Sequence, residues 1–202
     1  MSTQIETFEF DEISEPFVAK AIAHYPAGKQ ASAVKTLLDI AQRQVGRHTG
    51  IAWLPQAAMD TVANRLGIAP MRVYENATFY TMFNLKPVGK YHLQVCTTTP
   101  CWLRGSDEIV SACKAASGIS QFGASSEDGL FTLTEVECMG ACVAAPILTV
   151  NDDYYEDLDA EKTVALIEDL KSGKPQPPAG SRSGRPSSAP ITGQTVLLNE
   201  AE

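Results

Sequence analysis

The sequence predicts an α+α/β chain, with a small helical bundle first and a mixed α/β domain after it. Three observations carry that reading. Apolar residues recur at helical spacing, punctuated by Gly and Pro, as far as about residue 85. After Lys86-Pro87-Val88-Gly89 the period drops to two. Four cysteines then arrive as close pairs, Cys96 with Cys101 (C-x4-C) and Cys138 with Cys142 (C-x3-C), each pair following an alternating run.

Taken in order, residues 1–13 carry acids and no base, and read as a short extended arm. Ser14-Glu15-Pro16 is a helix start, with Ser as N-cap and Pro in the first turn. Phe17, Ile22 and Tyr25 belong to that helix, which Pro26 and Gly28 end. Val34, Leu37, Leu38, Ala41 and Val45 form a helical stripe between Gln30 and Gly46, with Gly46 as the expected stop. Pro55 opens a third helix (Ala58, Met59, Val62, Leu66), closed by Gly67. Pro70 opens a fourth, through Val73, Tyr74 and Ala77 to Phe79. Asn76 lies inside it, as a solvent-facing or turn-capping amide. Short links and one apolar face per helix make residues 14–85 a bundle.

Residues 86–171 form the second domain. Tyr91, Leu93 and Val95 alternate with His92 and Gln94, a strand that ends on Cys96. A helix follows Cys101, with Ser106, Asp107 and Glu108 at its start and Ile109, Cys113 and Ala116 inward. Residues 129–137 alternate again and deliver Cys138. Ile147–Val150 is a strand, Asn151-Asp152-Asp153 a turn, and Tyr154-Tyr155-Glu156 a returning strand. Asp159 caps a last helix, with Val164, Ile167 and Leu170 inward. This order suits a thioredoxin-like layout. Residues 172–202 are rich in Pro, Gly and Ser, and are expected to order only on a partner. Their one apolar patch is Thr195-Val196-Leu197-Leu198.

The totals exclude several classes. A net charge of −8 with no basic stripe argues against nucleic acid or an anionic membrane surface as partner. No apolar run approaches the roughly 20 residues that span a bilayer. The N-terminus resembles neither a secretory signal nor a transit peptide. An odd number of cysteines without such a signal points to a reducing compartment, where cysteine pairs mean metal or redox chemistry.

Two loops leaving one sheet edge can bring four thiolates to one inorganic centre. All-cysteine ligation suits iron–sulfur clusters. Small residues around the second pair (Gly140, Ala141, Ala144, Ala145) let backbone N–H groups approach the sulfurs. A helix starting just after Cys101 would aim its N-terminus at the site and favour the reduced form. A structural zinc site and thiol redox chemistry remain open on spacing alone, although the C-x-x-C of thioredoxins is absent. Cys113 reads as a buried core thiol. His24, His48 and His92 are scattered and lack carboxylate partners in sequence. The acidic run 152–157 lacks calcium-loop spacing. Trp102 and Arg104 flank the first pair, as a packed cover or as a partner contact. No nucleotide-binding glycine motif occurs.

The residues also carry a resemblance. Cys96-Thr97-Thr98-Thr99-Pro100-Cys101-Trp102-Leu103-Arg104-Gly105 and Glu137-Cys138-Met139-Gly140-Ala141-Cys142, with Ala145-Pro146, closely resemble the 24 kDa subunits of respiratory complex I, the NADH:quinone oxidoreductase of bacteria and mitochondria. The likeness extends through Trp53-Leu54-Pro55, residues 77–83 and residues 151–156. Met139 stands where that family often has Leu, and Asn76 where it commonly has an apolar residue.

The resemblance implies a helical bundle followed by a thioredoxin-like ferredoxin domain with one [2Fe–2S] cluster on Cys96, Cys101, Cys138 and Cys142. It implies an electron-transfer subunit that is not catalytic alone. Its partners would be a flavin subunit holding NADH and FMN, and a neighbouring iron–sulfur subunit. The setting would be the peripheral arm, on the cytoplasmic side of a bacterial inner membrane. The equivalent subunit of an NAD-linked formate dehydrogenase or hydrogenase, and a zinc-stabilised interaction module, are the alternatives.

Overall fold

The computed structural model describes residues 5–189 and 192–193, and the chain divides into two compact units, Met1–Val88 and Gly89–Glu202. The boundary lies three residues beyond the expected one at 85/86.

The first unit holds α1 (Glu15–Ala23), a 3-10 turn (Gln30–Ala33), α2 (Val34–Thr49), α3 (Gln56–Leu66) and α4 (Pro70–Phe79). Their apolar stripes meet in one core around Val18, Leu37, Leu38, Leu54, Val62 and Val73. Four expectations shift here. α2 runs through Gly46 and stops at Gly50, whose left-handed backbone closes it. α1 buries Val18 and Ala21, leaves Phe17 exposed, and ends before Tyr25. Ser14 makes no side-chain cap. Instead the Asp11 carboxylate accepts from the Ser14 N–H at 2.7 Å, a cap displaced into the acidic arm. Asn76 donates back to the Arg72 carbonyl, four residues earlier.

The arm itself is laid along the bundle. Gln44 donates to the Glu9 carbonyl and accepts from the Asp11 N–H, while Thr61 donates to the Phe8 carbonyl. Phe8 and Phe10 meet edge to face and pack against the bundle core. Asp11 also binds Arg47 and His48; against desolvation, its hydrogen bonds with Ser14 first, then with Arg47 and His48, hold its carboxyl well below the usual range.

The second unit is a mixed sheet in the order β2-β3-β1-β4-β5-β6. Its strands are β1 (Tyr91–Cys96), β2 (Ala124–Ser125), β3 (Phe131–Val136), β4 (Leu148–Val150), β5 (Asp153–Glu156) and β6 (Gly180–Ser181). β1 pairs β3 in parallel and β4 antiparallel. α5 (Thr99–Leu103), α6 (Ser106–Ser117) and α7 (Ala160–Lys171) complete it. Period-two alternation sends Tyr91, Leu93 and Val95 into the core with Phe131 and Leu133, against Ile109, Cys113, Ile167 and Leu170 of α6 and α7. α7 is capped as expected, Asp159 accepting from the Lys162 N–H at 2.8 Å. It turns Thr163, Leu166, Ile167 and Leu170 inward, so Val164, expected inward, faces out at 39% exposure.

Residues 172–189 depart from the expectation of a segment without structure of its own. β6 adds to the β5 edge, and the Tyr155 hydroxyl donates to the Pro177 carbonyl. Ser181 and Ser183 donate to Asp157, which also pairs with Arg185 at 3.4 Å. Composition hides this because an edge strand needs only backbone pairing and two or three side-chain anchors. The Thr195–Leu198 patch lies outside the described residues.

Candidate metal centre

β1 and β3 are parallel neighbours in register, with Cys96 opposite Val136. Their chains therefore leave the sheet at the same end. β1 delivers Cys96 directly and β3 delivers Cys138 two residues after its last member. Beyond Cys96 the chain turns at Thr97-Thr98 into α5, which carries Cys101. Beyond Cys138 it loops to a 3-10 turn that starts on Cys142. The sequence reading has a helix after Cys101 with Ser106, Asp107 and Glu108 at its start, and α6 begins at Ser106; the short α5, which carries Cys101 itself, is an addition to that reading.

Cys96 and Cys101 are each 1% exposed and pack with Ala144, Ala145 and Ile147 in a small cluster of their own. Cys138 is exposed, Cys142 half-buried, and their sulfurs lie 3.1 Å apart. Cys113 sits apart, in the main core of the sheet and helices. Burial pushes its thiol up to about 12, as an inert core sulfur requires.

Within each pair the sulfurs polarise each other. Burial pushes Cys96 up, but donors from the Thr98 hydroxyl and N–H, the Cys101 thiol and the Met139 N–H outweigh it and hold Cys96 below an ordinary thiol. Burial, then the hydrogen bond with Cys96, push Cys101 up to about 12. The bond from Cys142, then the Gly140 N–H, lower Cys138, while bonding to Cys138 and burial raise Cys142. In each pair one sulfur is shifted down and its partner up. Deprotonating all four takes a cationic centre, which binds thiolates and releases their protons.

Four soft sulfur donors are the set iron–sulfur clusters take, so the residues fit such a group. Among the described residues no group of three or more His, Cys, Asp or Glu side chains is gathered closely enough to hold a single metal ion. The thiols stand as two couples, which suits a centre of two irons with one couple on each. The φ of +83° at Gly140 lies where side-chain-bearing residues are strained, so the turn between Cys138 and Cys142 favours glycine.

Two features escaped the sequence reading. The Tyr154 hydroxyl donates to the Met139 carbonyl at 3.2 Å, bracing the second cysteine loop from β5. The Thr98 hydroxyl lies 3.2 Å from Cys96 Sγ. A threonine between two ligand candidates was the available signal. Trp102, Leu103 and Val143, each next to a cysteine of the site in sequence or one residue beyond it, are 52–70% exposed. The histidines are elsewhere. His48 binds Asp11, and His92 is buried on β1 against Thr134.

The model of the thioredoxin-like [2Fe–2S] ferredoxin family matches residues 18–171. A Rickettsia bellii protein, named as a subunit of NADH-quinone oxidoreductase, is 52% identical over 172 residues, covering 85% of this chain and 99% of the relative. A Dictyostelium discoideum protein named NADH dehydrogenase [ubiquinone] flavoprotein 2, mitochondrial, is 47% identical over 191 residues, 95% of this chain and 74% of the relative. Among solved structures, an NAD+-reducing [NiFe]-hydrogenase in the air-oxidised state superposes with a TM-score of 0.57 at 24% identity. That match covers 68% of this chain but 23% of the hydrogenase chain, and speaks to the fold alone.

Proposed function

The chain belongs to the thioredoxin-like [2Fe–2S] ferredoxin family, and from that premise we propose that it is an electron-transfer subunit of an NADH:quinone oxidoreductase. One [2Fe–2S] cluster would sit on Cys96, Cys101, Cys138 and Cys142. The observation that carries this is the delivery of both cysteine pairs to the shared end of β1 and β3. The Rickettsia relative, matched along nearly its whole length, supplies the choice of complex.

When bound, such a cluster stores and releases one electron at a time. The chain's own residues do the rest. Cys96 and Cys101 form a buried half of the site, backed by Ile147, whose carbonyl accepts from the Cys96 N–H. Cys138 and Cys142 form an outward half, open to a partner's redox group. The exposed rim of Trp102, Leu103 and Val143 offers that partner an apolar seat. On this reading the partner is the subunit that holds NADH and FMN, beside a further iron–sulfur subunit. The assembly is the peripheral arm on the cytoplasmic side of a bacterial inner membrane. Among the described residues no helix is long and apolar enough to cross a membrane.

The test is spectroscopy of the full chain, as isolated and after dithionite. A coloured protein with acid-labile sulfide and a rhombic one-electron EPR signal on reduction is expected. Cys138→Ser should abolish or alter that signal and Cys113→Ser should leave it unchanged. A colourless chain that binds zinc without sulfide would overturn the reading. The chains that co-purify separate a quinone-reducing complex from an NAD-linked hydrogenase or formate dehydrogenase.

A further inference from the structure

We propose that Thr98 is a positioning residue whose hydroxyl, by hydrogen-bonding to the Cys96 sulfur, raises the reduction potential of the centre that the four cysteines hold. This rests on the reading of Cys96, Cys101, Cys138 and Cys142 as cluster ligands.

Thr98 occupies the N-cap position of α5, with extended backbone (φ −70°, ψ 165°). A threonine there ordinarily accepts a hydrogen bond from the helix's second or third N–H. Here no side-chain cap forms. The second helical position is Pro100, which has no N–H to offer. The hydroxyl instead turns to sulfur, 3.2 Å from Cys96 Sγ.

Direction follows from chemistry. A free thiol and a hydroxyl can each donate, but a metal-bound thiolate only accepts. With Cys96 as a ligand, Thr98 is therefore the donor, its one proton directed to Cys96 Sγ. On the second loop the Tyr154 hydroxyl holds the Met139 carbonyl at 3.2 Å.

An added electron makes the centre and its thiolates more negative. Hydrogen bonds to a sulfur strengthen with its charge, so a donor stabilises the reduced form more than the oxidised one. Removing the Thr98 hydroxyl should move the potential negative. Valine keeps the shape and removes the donor; serine keeps the donor and removes a methyl group.

The experiment is a potentiometric titration of the cluster-loaded full chain, followed by EPR, for wild type, Thr98→Val and Thr98→Ser. At a fixed ambient potential, Thr98→Val should show a reduced-to-oxidised ratio about tenfold lower, a shift of about 59 mV for one electron. Thr98→Ser should stay near wild type. A Thr98→Val midpoint equal to wild type at unchanged sulfide content overturns the proposal, as does Thr98→Ser shifting as far as Thr98→Val. Should Thr98→Val take up no cluster, loading becomes the readout. Restored loading in Thr98→Ser supports the hydroxyl, and equal failure of both variants sinks it. A wild-type chain without labile sulfide is the distinct outcome that removes the cluster reading, and this proposal with it.

Discussion

At the scale of single residues, environment separates side chains that composition treats alike. Five cysteines occur, and the same thiol is an inert core filler at position 113 and half of a polarised couple at 96 or 138. His92 shows the same principle through burial. It lies 9% exposed on β1 with its Nε2 against the Thr134 hydroxyl, and burial pushes the imidazole from 6.5 down to about 4. Between those values the unfolded chain binds a proton that the folded one refuses, so stability rises with pH across that window. It is fully present above 6.5 and is lost as pH falls towards 4. The shift corresponds to roughly 3 kcal/mol at most. Urea midpoints of the wild type should therefore drop between pH 7 and pH 5.5, and His92→Gln should flatten part of that drop. Equal slopes for the two proteins would show that His92 does not carry it.

At the scale of elements, the site depends on β1 and β3 running side by side. The turn before β1 is packed against its neighbour so closely that only glycine fits. A Cβ on Gly89 would stand 2.5 Å from the Phe131 carbonyl carbon, a backbone atom with no freedom to retreat. The Gly89 N–H meanwhile donates to the Thr132 hydroxyl. Gly89→Ala should therefore cost about 1–3 kcal/mol or more by overpacking. Gly118→Ala, where a Cβ meets open space, should cost about 1 kcal/mol through its φ of +75°. Urea unfolding of the two variants ranks them, and a more damaging Gly118→Ala would contradict this ordering. Gly89 was legible in the sequence only as part of a Pro-Gly turn signal. Its close approach is a property of a strand more than forty residues away.

At the scale of the whole molecule, the segment that composition marked as tail belongs to the second unit. β6 covers the outer edge of β5, Arg182 lies over the Tyr155 ring, and Arg185 meets Asp157. Asp157 in turn donates its N–H to the Ala144 carbonyl, beside Cys142. The tail anchor and the cysteine turn thus share one residue. Truncation after Gly173 uncovers the β5 edge, and uncovered edges pair with other chains. Such a chain should melt at a lower temperature and self-associate in sedimentation more than the full chain does. A monomer with unchanged melting would show the tail to be dispensable.

By itself the sequence determined what local rules govern. Helical spacing, Pro and Gly punctuation and period-two alternation marked the four helices of the bundle and the strands before each cysteine pair. The cysteine motifs, with the residues around them, pointed to the family. Boundaries slipped where a local signal was overridden, as at Gly46, beyond which Arg47 and His48 bind Asp11 of the arm and the helix runs on to Gly50. Tertiary structure decided what depends on residues far apart in the chain. It set the parallel pairing that brings two cysteine loops to one sheet end, the two-residue strands β2 and β6, and the displaced cap at Asp11. It also turned the Thr98 hydroxyl away from its own helix towards the Cys96 sulfur. The physical reason is common to all of these. Local patterns are set by bonds and sterics a few residues long, whereas a hydrogen bond between loops exists only once packing has brought its partners within about 3 Å.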